Sequence, residues 1–375
     1  MTSTEAPVLF DTFATASGHR FGRATLNAPA SLNALTLPMV DALAPQLRAW
    51  AHDPQIAGVL LDANSEKAFC AGGDVVGLYR AIRATPAGEV PAAPAAFFER
   101  EYRLDYQIHT YPKPLVCWGH GIVMGGGMGL MDGASHRVAT ERTRMAMPEI
   151  TIGLFPDVGG SWMLSRLRGR LGLFLALTGA SLNAADAHAA GMVDFIAPHA
   201  GHAPLMDAMA RARWAGEREA DGAQLSHLIE SLGAPADLAA SPLRTSEARI
   251  DRVMGHDGLD DIAPRLAALA QDADPWLAQA GTTFSRGSPT SAALSVALQQ
   301  RARHLSLADV FRLEWQAAVG CTRHADFPEG VRALLVDKDK SPRWQPAALA
   351  DVTPALIEAH LRPHFTGTHP LADLQ

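Results

Sequence analysis

The sequence predicts an α/β fold with parallel strands, followed by a mainly helical C-terminal region. A buried strand pattern at 58–63 leads into a glycine loop and then into a helix that begins near Val75. The same order of strand, glycine loop and helix recurs from Pro114 onward. Strand patterns become rare after Pro198, where Ala-rich segments with helical Leu spacing take over. Alternating strands and helices favour parallel pairing within one sheet.

The other elements follow from turn residues and periodicity. They are short strands within 8–27, an amphipathic helix over 35–50, a flexible Pro-, Ala- and Gly-rich excursion over 83–94 and a further strand over 137–140. The change of pattern near residue 200 predicts one domain over 1–200. It also predicts a mainly α-helical region over 201–375.

Composition limits the classes of partner. The 375 residues are 48% hydrophobic and 19% charged, which is ordinary for a globular protein. The net charge of −7 and the absence of a Lys/Arg block argue against nucleic acid or an anionic membrane surface as the main partner. No run approaches the roughly 20 apolar residues of a membrane span. The N-terminus has neither a secretory nor an Arg-rich transit pattern, so we expect a cytoplasmic protein.

Cysteine and histidine spacing predicts no metal site. Cys70, Cys117 and Cys321 are odd in number, widely spaced and without a C-x-x-C, so neither a disulfide framework nor a zinc ribbon is indicated. His199 and His202 are expected to form an exposed loop pair, and no H-E-x-x-H motif accompanies them.

Glycines cluster in two loops that each follow a predicted strand. One contains Gly72 and Gly73, and the other is the run at 125–129 (GGGMG). Glycines before an apolar segment expose N–H groups at a helix start, which suits a developing oxyanion. The competing interpretation is tight packing of helix on sheet. No G-x-G-x-x-G spacing or Walker A lysine is present, so a nucleotide cofactor is not favoured.

Two carboxylates lie shortly after the glycine run. Glu149 and Asp157 each follow a proline by one residue, and Gly153 lies between them, so no single helix carries both. Both are embedded among apolar residues, where an unpaired carboxylate is costly and its pKa is displaced. This arrangement fits acid/base or nucleophilic chemistry on a carbonyl. A serine hydrolase is not favoured, because 159–163 (GGSWM) fails at the last glycine of G-x-S-x-G.

These features resemble the crotonase superfamily, and more closely its 3-hydroxyisobutyryl-CoA hydrolase family. The similar blocks are 68–74 (AFCAGGD), 98–102 (FEREY), 121–127 (GIVMGGG), 147–160, 175–179 (LALTG), 326–335 (DFPEGVRALL) and 337–339 (DKD). The first and third are shared across crotonases, whereas 155–160 (FPDVGG) and the C-terminal blocks point to the hydrolase branch. The resemblance implies that 1–200 form a crotonase-like ββα spiral core, the catalytic domain that binds acyl-CoA. It implies that the mainly helical C-terminal region over 201–375 completes the active site and supplies any oligomer contacts. It also implies an acyl-CoA thioester whose carbonyl meets two backbone N–H groups.

By position, the resemblance implies that Gly73 and Gly126 donate those N–H groups. Hydratases of the superfamily carry a pair of glutamates, one of which would fall at Gly129. Because that acid is missing while Glu149 is kept and Asp157 is added, thioester hydrolysis is favoured over hydration. Glu149 would attack the carbonyl or activate a water, and Asp157 would orient or exchange protons with the water or leaving group.

The resemblance also implies the rest of the acyl-CoA site. Glu101 aligns with a family acid expected near the substrate, at its hydroxyl. The other expected substrate-binding residues are Gly126, Glu149, Asp157, Asn33, Ala34, Leu35, Ala71, Gly72 and Asp74, of which the segment at 33–35 would wrap the adenine end of CoA. The usual Asn-Pro start of that segment is altered to NAP at 27–29. Coenzyme A is part of the substrate, so no separate cofactor is expected.

The resemblance therefore implies a hydrolase that releases CoA from a short 3-hydroxyacyl-CoA, with 3-hydroxyisobutyryl-CoA in valine breakdown as the substrate. Crotonases often form trimers, so a homo-oligomer, a trimer or a multiple of one, is compatible with it. One alternative is an enoyl-CoA hydratase or isomerase, against which Gly129 argues. Another is a non-catalytic scaffold with the same fold, against which the retained glycines and acids argue.

Overall fold

The chain forms two compact units that alternate along the sequence. The computed structural model describes residues 6–86 and 88–375. The first unit comprises the chain up to Gly73, Leu104–Met145 and Leu182–Ser241, and the second comprises Asp74–Arg103, Ala146–Ser181 and Pro242–Gln375. The predicted domain boundary near residue 200 stays a prediction. Residues after it, where described, form helices and no strand.

Ten strands are found among the described residues. They are β1 (Val8–Ala14), β2 (Arg20–Leu26), β3 (Ile56–Ala63), β4 (Ala68–Cys70), β5 (Leu115–Gly119), β6 (Ile122–Met124), β7 (His136–Ala139), β8 (Arg144–Ala146), β9 (Leu182–Asn183) and β10 (Phe195–Ile196). Among the described residues, nine α-helices precede residue 240, namely α1 (Leu37–His52), α2 (Val75–Ala84), α3 (Ala92–His109), α4 (Gly126–Asp132), α5 (Gly160–Leu164), α6 (Leu171–Thr178), α7 (Ala184–Ala189), α8 (His202–Arg211) and α9 (Arg218–Glu230). Seven further α-helices follow in the described part of the chain, namely α10 (Pro242–Met254), α11 (Leu259–Ala268), α12 (Pro275–Arg286), α13 (Pro289–Ala302), α14 (Leu307–Thr322), α15 (Asp326–Val331) and α16 (Pro354–Leu361).

The first unit is built on a six-stranded sheet with the order β1-β2-β3-β5-β7-β10. Only β1 and β2 pair antiparallel, and the other neighbours are parallel, as the alternation of strands and helices predicts. The central strand β3 is buried along nearly its whole length, which explains its continuous apolar sequence. A hydrophobic cluster joins this sheet to α8 and α9, with Phe21 against Trp214 at 4.6 Å between ring centroids.

A second sheet, with the order β4-β6-β8-β9, is not predicted from the sequence. Its strands have only two or three residues, too few for alternation to become visible. Strands β4 and β6 pair in parallel, so the two glycine loops leave from the same ends of neighbouring strands.

The second unit is largely helical. The predicted excursion over 83–94 is shorter than expected, because α2 extends to Ala84 and α3 begins at Ala92. No helix of the described residues is both long and apolar enough to cross a membrane.

Candidate active site

Three carboxyl side chains of the second unit are buried and electrostatically coupled. Glu101 on α3 is 2% exposed, and Glu149 and Asp157 are each 5% exposed. Burial raises the pKa of Glu101 well above its usual value, and the charges of Asp157 and Glu149 raise it further. The structure thus brings together the three acids predicted from the sequence, which we call the acid cluster. Sequence spacing alone did not place Glu101 with the other two.

Glu149 is positioned by a short turn of 3-10 helix, Glu149–Ile152, which ends at Gly153 in the left-handed region at φ 73°. A Cβ at Gly153 would lie 2.3 Å from the backbone of Asp326, so glycine is required for this close approach. The backbone N–H of Ser288 also donates to the carbonyl of Ile150 at 3.0 Å. The C-terminal block that begins at Asp326 therefore supports the turn that carries Glu149.

One oxygen of the Glu149 carboxyl group has no hydrogen bond. Its Oε2 atom is buried and has no hydrogen-bond partner among the described residues. Burial raises the pKa of Glu149 well above its usual value, and the neighbouring charge of Asp157 adds to the rise. A buried oxygen without a partner costs stability, and such costs concentrate at sites of chemistry.

Asp157 receives a hydrogen bond from a tyrosine. The hydroxyl of Tyr102 donates to Oδ2 of Asp157 at 2.7 Å, and both side chains are buried. Burial raises the pKa of Asp157 to about 6, while the hydrogen bond from Tyr102 opposes the rise because it favours the ionised carboxylate. Asp157 is therefore held in place and ionises within the physiological range.

The turn after Asp157 is held by a second buried glutamate. The carboxylate of Glu314, on α14, accepts the N–H groups of Gly159 and Ser161, each at 2.8 Å. Between Asp157 and these groups lies Val158, whose φ of 53° is rare for a β-branched residue. Burial raises the pKa of Glu314 to about 8, and the hydrogen bond from Gly159 opposes that rise. Glu314 thus stabilises a strained turn next to Asp157.

Tyr102 and Glu314 were not assigned roles from the sequence. Tyr102 lies within a block that resembles the hydrolase family, but nothing in its spacing pairs it with Asp157. Glu314 carried a usable signal, because it lies on the buried face of α14 with Phe311 one turn before it and Ala318 one turn after it. A charged residue on an otherwise apolar helix face indicates a buried partner.

The two glycine loops belong to the first unit. Gly126 is the first residue of α4, and its N-cap residue, Gly125, has φ 47° and provides no side-chain cap. The first N–H groups of α4 therefore have no acceptor from that side chain. Gly72 has φ 112°, and a Cβ there would lie 3.5 Å from the carbonyl oxygen of Met124, so the two loops are neighbours. Gly73 forms an isolated parallel bridge with Leu35.

The competing interpretation, tight packing, holds for another glycine of the run. A Cβ at Gly127 would lie 2.4 Å from the carbonyl oxygen of Cys70. We expect Gly127→Ala to lower the free energy of unfolding by about 3 kcal/mol, because β4 and α4 would have to separate. Urea unfolding measures this change. The matched control is Gly222→Ala in α9, where the atom nearest to the new Cβ would be 3.7 Å away. A neutral or stabilising effect is expected there. Equal effects at Gly127 and Gly222 would contradict a packing role for Gly127.

The other predicted substrate-binding residues have identifiable structural partners. The amide oxygen of Asn33 accepts the N–H of Ala28 at 2.7 Å, and its amide nitrogen donates to the carbonyls of Ala68 and Phe69. The N–H of Leu35 donates to Gly72 at 2.7 Å, and that of Ala71 donates to Leu32 at 3.1 Å, so the predicted residues at 33–35 and 71–73 lie side by side. In the second unit, Asp74 caps α2 by accepting the N–H of Gly77 at 3.0 Å.

The prediction of an exposed histidine pair is wrong. His202 begins α8 and its Nε2 lies 2.9 Å from the buried carboxylate of Asp62, while His199 is half-buried with its ring 5.1 Å from that of His120. Both contacts are made with residues more than 75 positions away, so the local sequence around 199–202 does not reveal them. Within the described ranges, no group of three or more His, Cys, Asp or Glu side chains is arranged to hold a metal ion.

Comparison with known proteins identifies the family. Residues 21–361 match the family described as enoyl-CoA hydratase/isomerase. One relative is the mitochondrial 3-hydroxyisobutyryl-CoA hydrolase of Gallus gallus, 39% identical over 345 residues that cover 91% of this chain and 86% of the relative. The enzyme of the same name from Homo sapiens is 36% identical over 344 residues, with 92% and 86% covered. Because both names describe mitochondrial proteins, they give no support to a cytoplasmic location for this chain, which stays a prediction.

Solved structures confirm the predicted crotonase-like fold. A crystal structure of a carnitinyl-CoA dehydratase from Mycobacterium thermoresistibile has a TM-score of 0.82 and 38% identity, covering 95% of this chain and 96% of that one. A crystal structure of an enoyl-CoA hydratase from Rhodobacter sphaeroides has a TM-score of 0.79 and 35% identity, covering 95% and 97%. These two structures and the family match over 21–361 agree along most of the chain. This chain belongs to the enoyl-CoA hydratase/isomerase family, the crotonases, and within it to the family of the 3-hydroxyisobutyryl-CoA hydrolases.

Proposed function

We propose that this protein hydrolyses the thioester of a short 3-hydroxyacyl-CoA, with 3-hydroxyisobutyryl-CoA in valine breakdown as the substrate. The observation that carries the reaction type is the buried Glu149 carboxyl group, which has an oxygen without a partner in the described structure and lies beside Asp157. The acyl group is supported by the names of the relatives from Gallus gallus and Homo sapiens.

In the proposed reaction, Glu149 acts on the thioester carbonyl, either by direct attack or by removing a proton from the attacking water. In direct attack, a Glu149 oxygen displaces the CoA thiolate and forms an acyl anhydride, which a water then cleaves to release the acid and restore the Glu149 carboxylate. In the other route, the water oxygen bonds to the carbonyl carbon as its proton passes to Glu149, and the bond between carbon and sulfur then breaks. Each route consumes one water, of whose two protons one ends on the CoA thiolate and the other leaves with the acid. Asp157 exchanges the proton that reaches the thiolate or orients the water, and its pKa of about 6 lets it change protonation state near neutral pH. Glu101 is assigned to the substrate's hydroxyl group.

The proposal assigns stabilisation of the oxyanion to the backbone N–H groups of Gly73 and Gly126. Each such donor is typically worth about 3 kcal/mol in the transition state. We propose that CoA is bound by Ala71, Gly72, Asp74 and the segment at 33–35. The proposed reaction requires no cofactor besides the CoA of the substrate. A homo-oligomer is also proposed, and light scattering after size-exclusion chromatography checks it.

A thiol-release assay tests reaction type and acyl specificity together. Free CoA is measured with 3-hydroxyisobutyryl-, 3-hydroxypropionyl-, 3-hydroxybutyryl- and crotonyl-CoA as substrates. We expect kcat/KM for 3-hydroxyisobutyryl-CoA to exceed that for 3-hydroxybutyryl-CoA by about tenfold, the scale of discrimination that one methyl position gives. Absence of thiol release from all four thioesters would refute the proposal.

A second candidate is hydration of an enoyl-CoA. It is favoured by the two solved structures of similar fold, an enoyl-CoA hydratase and a carnitinyl-CoA dehydratase. Against it stands Gly129, a buried residue of α4 that offers no acid at the position where hydratases carry one. Loss of crotonyl-CoA absorbance without free thiol would support hydration.

The hydrogen bond from Tyr102 gives a pH-dependent prediction. Tyr102→Phe removes a donor that lowers the pKa of Asp157, so we expect the limb of the kcat/KM profile that reports Asp157 to move to higher pH. The profile is measured by thiol release between pH 4.5 and 9. The control is Tyr111→Phe, because Tyr111 is also buried and its hydroxyl also donates, to the carbonyl of Leu47 at 2.8 Å. A Tyr102→Phe profile that coincides with the Tyr111→Phe profile would contradict this role.

A further inference from the structure

The backbone turn that carries Glu149 is packed against two other segments of the second unit. One segment is the junction between α12 and α13, where the N–H of Ser288 donates to the carbonyl of Ile150 at 3.0 Å. The other is α15, because a Cβ at Gly330 would lie 2.4 Å from the backbone of Ile152. The position of the turn therefore depends on how these two segments are held relative to each other.

A buried serine and a buried aspartate join the two segments. The hydroxyl of Ser288 caps α13 by accepting the N–H of Ser291 at 3.0 Å, and it donates to Oδ2 of Asp326 at 2.6 Å. Asp326 is the first residue of α15, and its Oδ1 accepts the N–H of Gln345 at 2.7 Å. Ser288 is completely buried and Asp326 is 4% exposed. One hydroxyl and one carboxylate thus link the starts of α13 and α15.

The charge of Asp326 strengthens this link. Burial raises the pKa of Asp326, and the hydrogen bonds from Ser288 and Gln345 oppose the rise because they favour the ionised carboxylate. A hydrogen bond to a charged acceptor is roughly twice as strong as one between neutral groups. The hydroxyl of Ser288 is therefore held firmly, and so is the backbone N–H of the same residue.

Glu149 depends on its backbone turn more than Asp157 does. Asp157 is held by the hydroxyl of Tyr102, whereas Oε2 of Glu149 has no hydrogen-bond partner in the described structure. The hydrogen bond that lowers the pKa of Glu149 comes from its own backbone. The direction of the Glu149 carboxyl group is therefore set by the turn, and a displacement of 1 Å at a reacting group can cost about 100-fold in rate.

We propose that Asp326 is a positioning residue for Glu149 and that it acts through Ser288. The Asp326 carboxylate fixes the serine hydroxyl, the serine N–H fixes the carbonyl of Ile150, and the turn then aims Glu149 at the reacting carbonyl carbon. Neither Asp326 nor Ser288 is assigned a contact with substrate. This inference rests on the proposed thioester hydrolysis, in which Glu149 acts on that carbon.

The first test is Ser288→Ala, which removes the hydroxyl and keeps the N–H that reaches Ile150. We expect kcat for free CoA release to fall about tenfold with KM unchanged, because Glu149 is displaced while the groups that bind acyl-CoA stay in place. The matched control is Ser306→Ala. Ser306 caps α14 by accepting the N–H of Asp309 at 3.1 Å, and its hydroxyl donates to the carboxylate of the same Asp309 at 2.7 Å. A fall in kcat no larger than that of the control would overturn the proposal.

The second test is Asp326→Asn, which is nearly isosteric and therefore preserves folding more safely. We expect kcat to fall about fivefold, because the amide replaces a charged acceptor by a neutral one. The double variant with Ser288→Ala should lose no more activity than Ser288→Ala alone, since Asp326 acts through that serine. Losses in kcat that multiply in the double variant would show that the two residues act independently and would overturn the proposal.

The pH profile separates positioning from a general loss of stability. In Ser288→Ala the looser turn lets water reach the Glu149 carboxyl group, so its raised pKa should fall. We expect the limb of the kcat/KM profile that reports Glu149 to move to lower pH. A lower content of folded protein would reduce the height of the profile and leave that limb in place, and such a result would assign Ser288 a structural role only.

Hydrogen exchange gives a measurement that does not use turnover. The N–H of Leu154 donates to the carbonyl of Glu149 at 3.0 Å within the turn. Mass spectrometry of peptic peptides that cover 149–154 should show exchange at least tenfold faster in Ser288→Ala than in wild type, and no change in Ser306→Ala. Unchanged exchange in Ser288→Ala would overturn the positioning role. Faster exchange in a protein whose wild type releases no thiol would support the link to the turn and refute the proposed hydrolysis alone.

Discussion

Replacement of Glu149 by glutamine is expected to lower kcat for free CoA release by about 10³-fold. The amide cannot attack the carbonyl or accept a proton from water, whereas the two N–H donors and the rest of the site remain. Binding of acyl-CoA should stay measurable by calorimetry with a non-hydrolysable thioether analogue. The matched control is Glu99→Gln on α3, since Glu99 is partly exposed and pairs with Arg103 at 3.3 Å. Turnover of Glu149→Gln near that of the control would exclude Glu149 from the reaction.

The same substitution should stabilise the protein. The wild-type carboxyl is buried with one oxygen unpartnered, and the charge of Asp157 raises its pKa further. Glutamine removes the ionisable group, so the thermal midpoint at pH 8 is expected to rise. A simultaneous loss of turnover and gain of stability would distinguish a reactive group from a structural one.

Asp157→Asn is expected to lower kcat by about 10²-fold, because the amide cannot exchange a proton with the water or the leaving thiolate. The hydroxyl of Tyr102, which donates to the carboxylate in the wild type, can still donate to the amide oxygen of the introduced side chain, so the local geometry is preserved. Thiol release under saturating substrate measures the change. Turnover within a factor of two of wild type would remove Asp157 from the mechanism.

The effect of Asp157→Asn on stability has a definite sign with pH. The carboxyl pKa rises from 3.8 to about 6 on folding, so between these values the folded state binds more protons than the unfolded state. Wild-type stability contributed by this group therefore falls as pH rises through that window. Asparagine does not titrate, so the unfolding midpoint of Asp157→Asn, relative to that of wild type, should rise between pH 4 and 7. A constant difference across that window would contradict the raised pKa.

Glu149 and Asp157 were predictable as site residues because they are charged residues among apolar neighbours in the sequence. Glu149 and Asp157 lie in an apolar segment that contains prolines, so they cannot lie together on the exposed face of one helix. The structure buries both side chains. Their partners were not predictable by the same means. The hydrogen bond to Asp157 comes from Tyr102, 55 positions earlier, and those from Gly159 and Ser161 reach Glu314 more than 150 positions later. Such pairs depend on tertiary contacts, which the periodicity of a helix or strand does not reveal.

The same distinction applies to the fold. Helix α1 was predictable because its apolar pattern extends over several helical turns. Strand β3 was predictable because nearly all of its eight residues are apolar. The second sheet was not, because β9 has two residues and its pairing with β8 is fixed by the rest of the chain. Within the glycine run, sequence could not separate Gly126, which begins α4, from Gly127, which packs on Cys70. That difference depends on the direction in which each absent Cβ would point.

The hydrogen bonds from Gly159 and Ser161 to Glu314 have a consequence for biosynthesis. The two ends of the Gly159 contact are separated by 155 residues, so a ribosome adding 5–20 residues per second needs roughly 8–30 s to supply the acceptor after the donor. Until α14 has been synthesised, the turn with Val158 has no carboxylate to hold it. Nascent chains halted before residue 314 would therefore contain Glu101, Glu149 and Asp157 and yet lack an ordered turn after Asp157. We expect the catalytic competence of the N-terminal acids to be conferred late, by the last third of the chain.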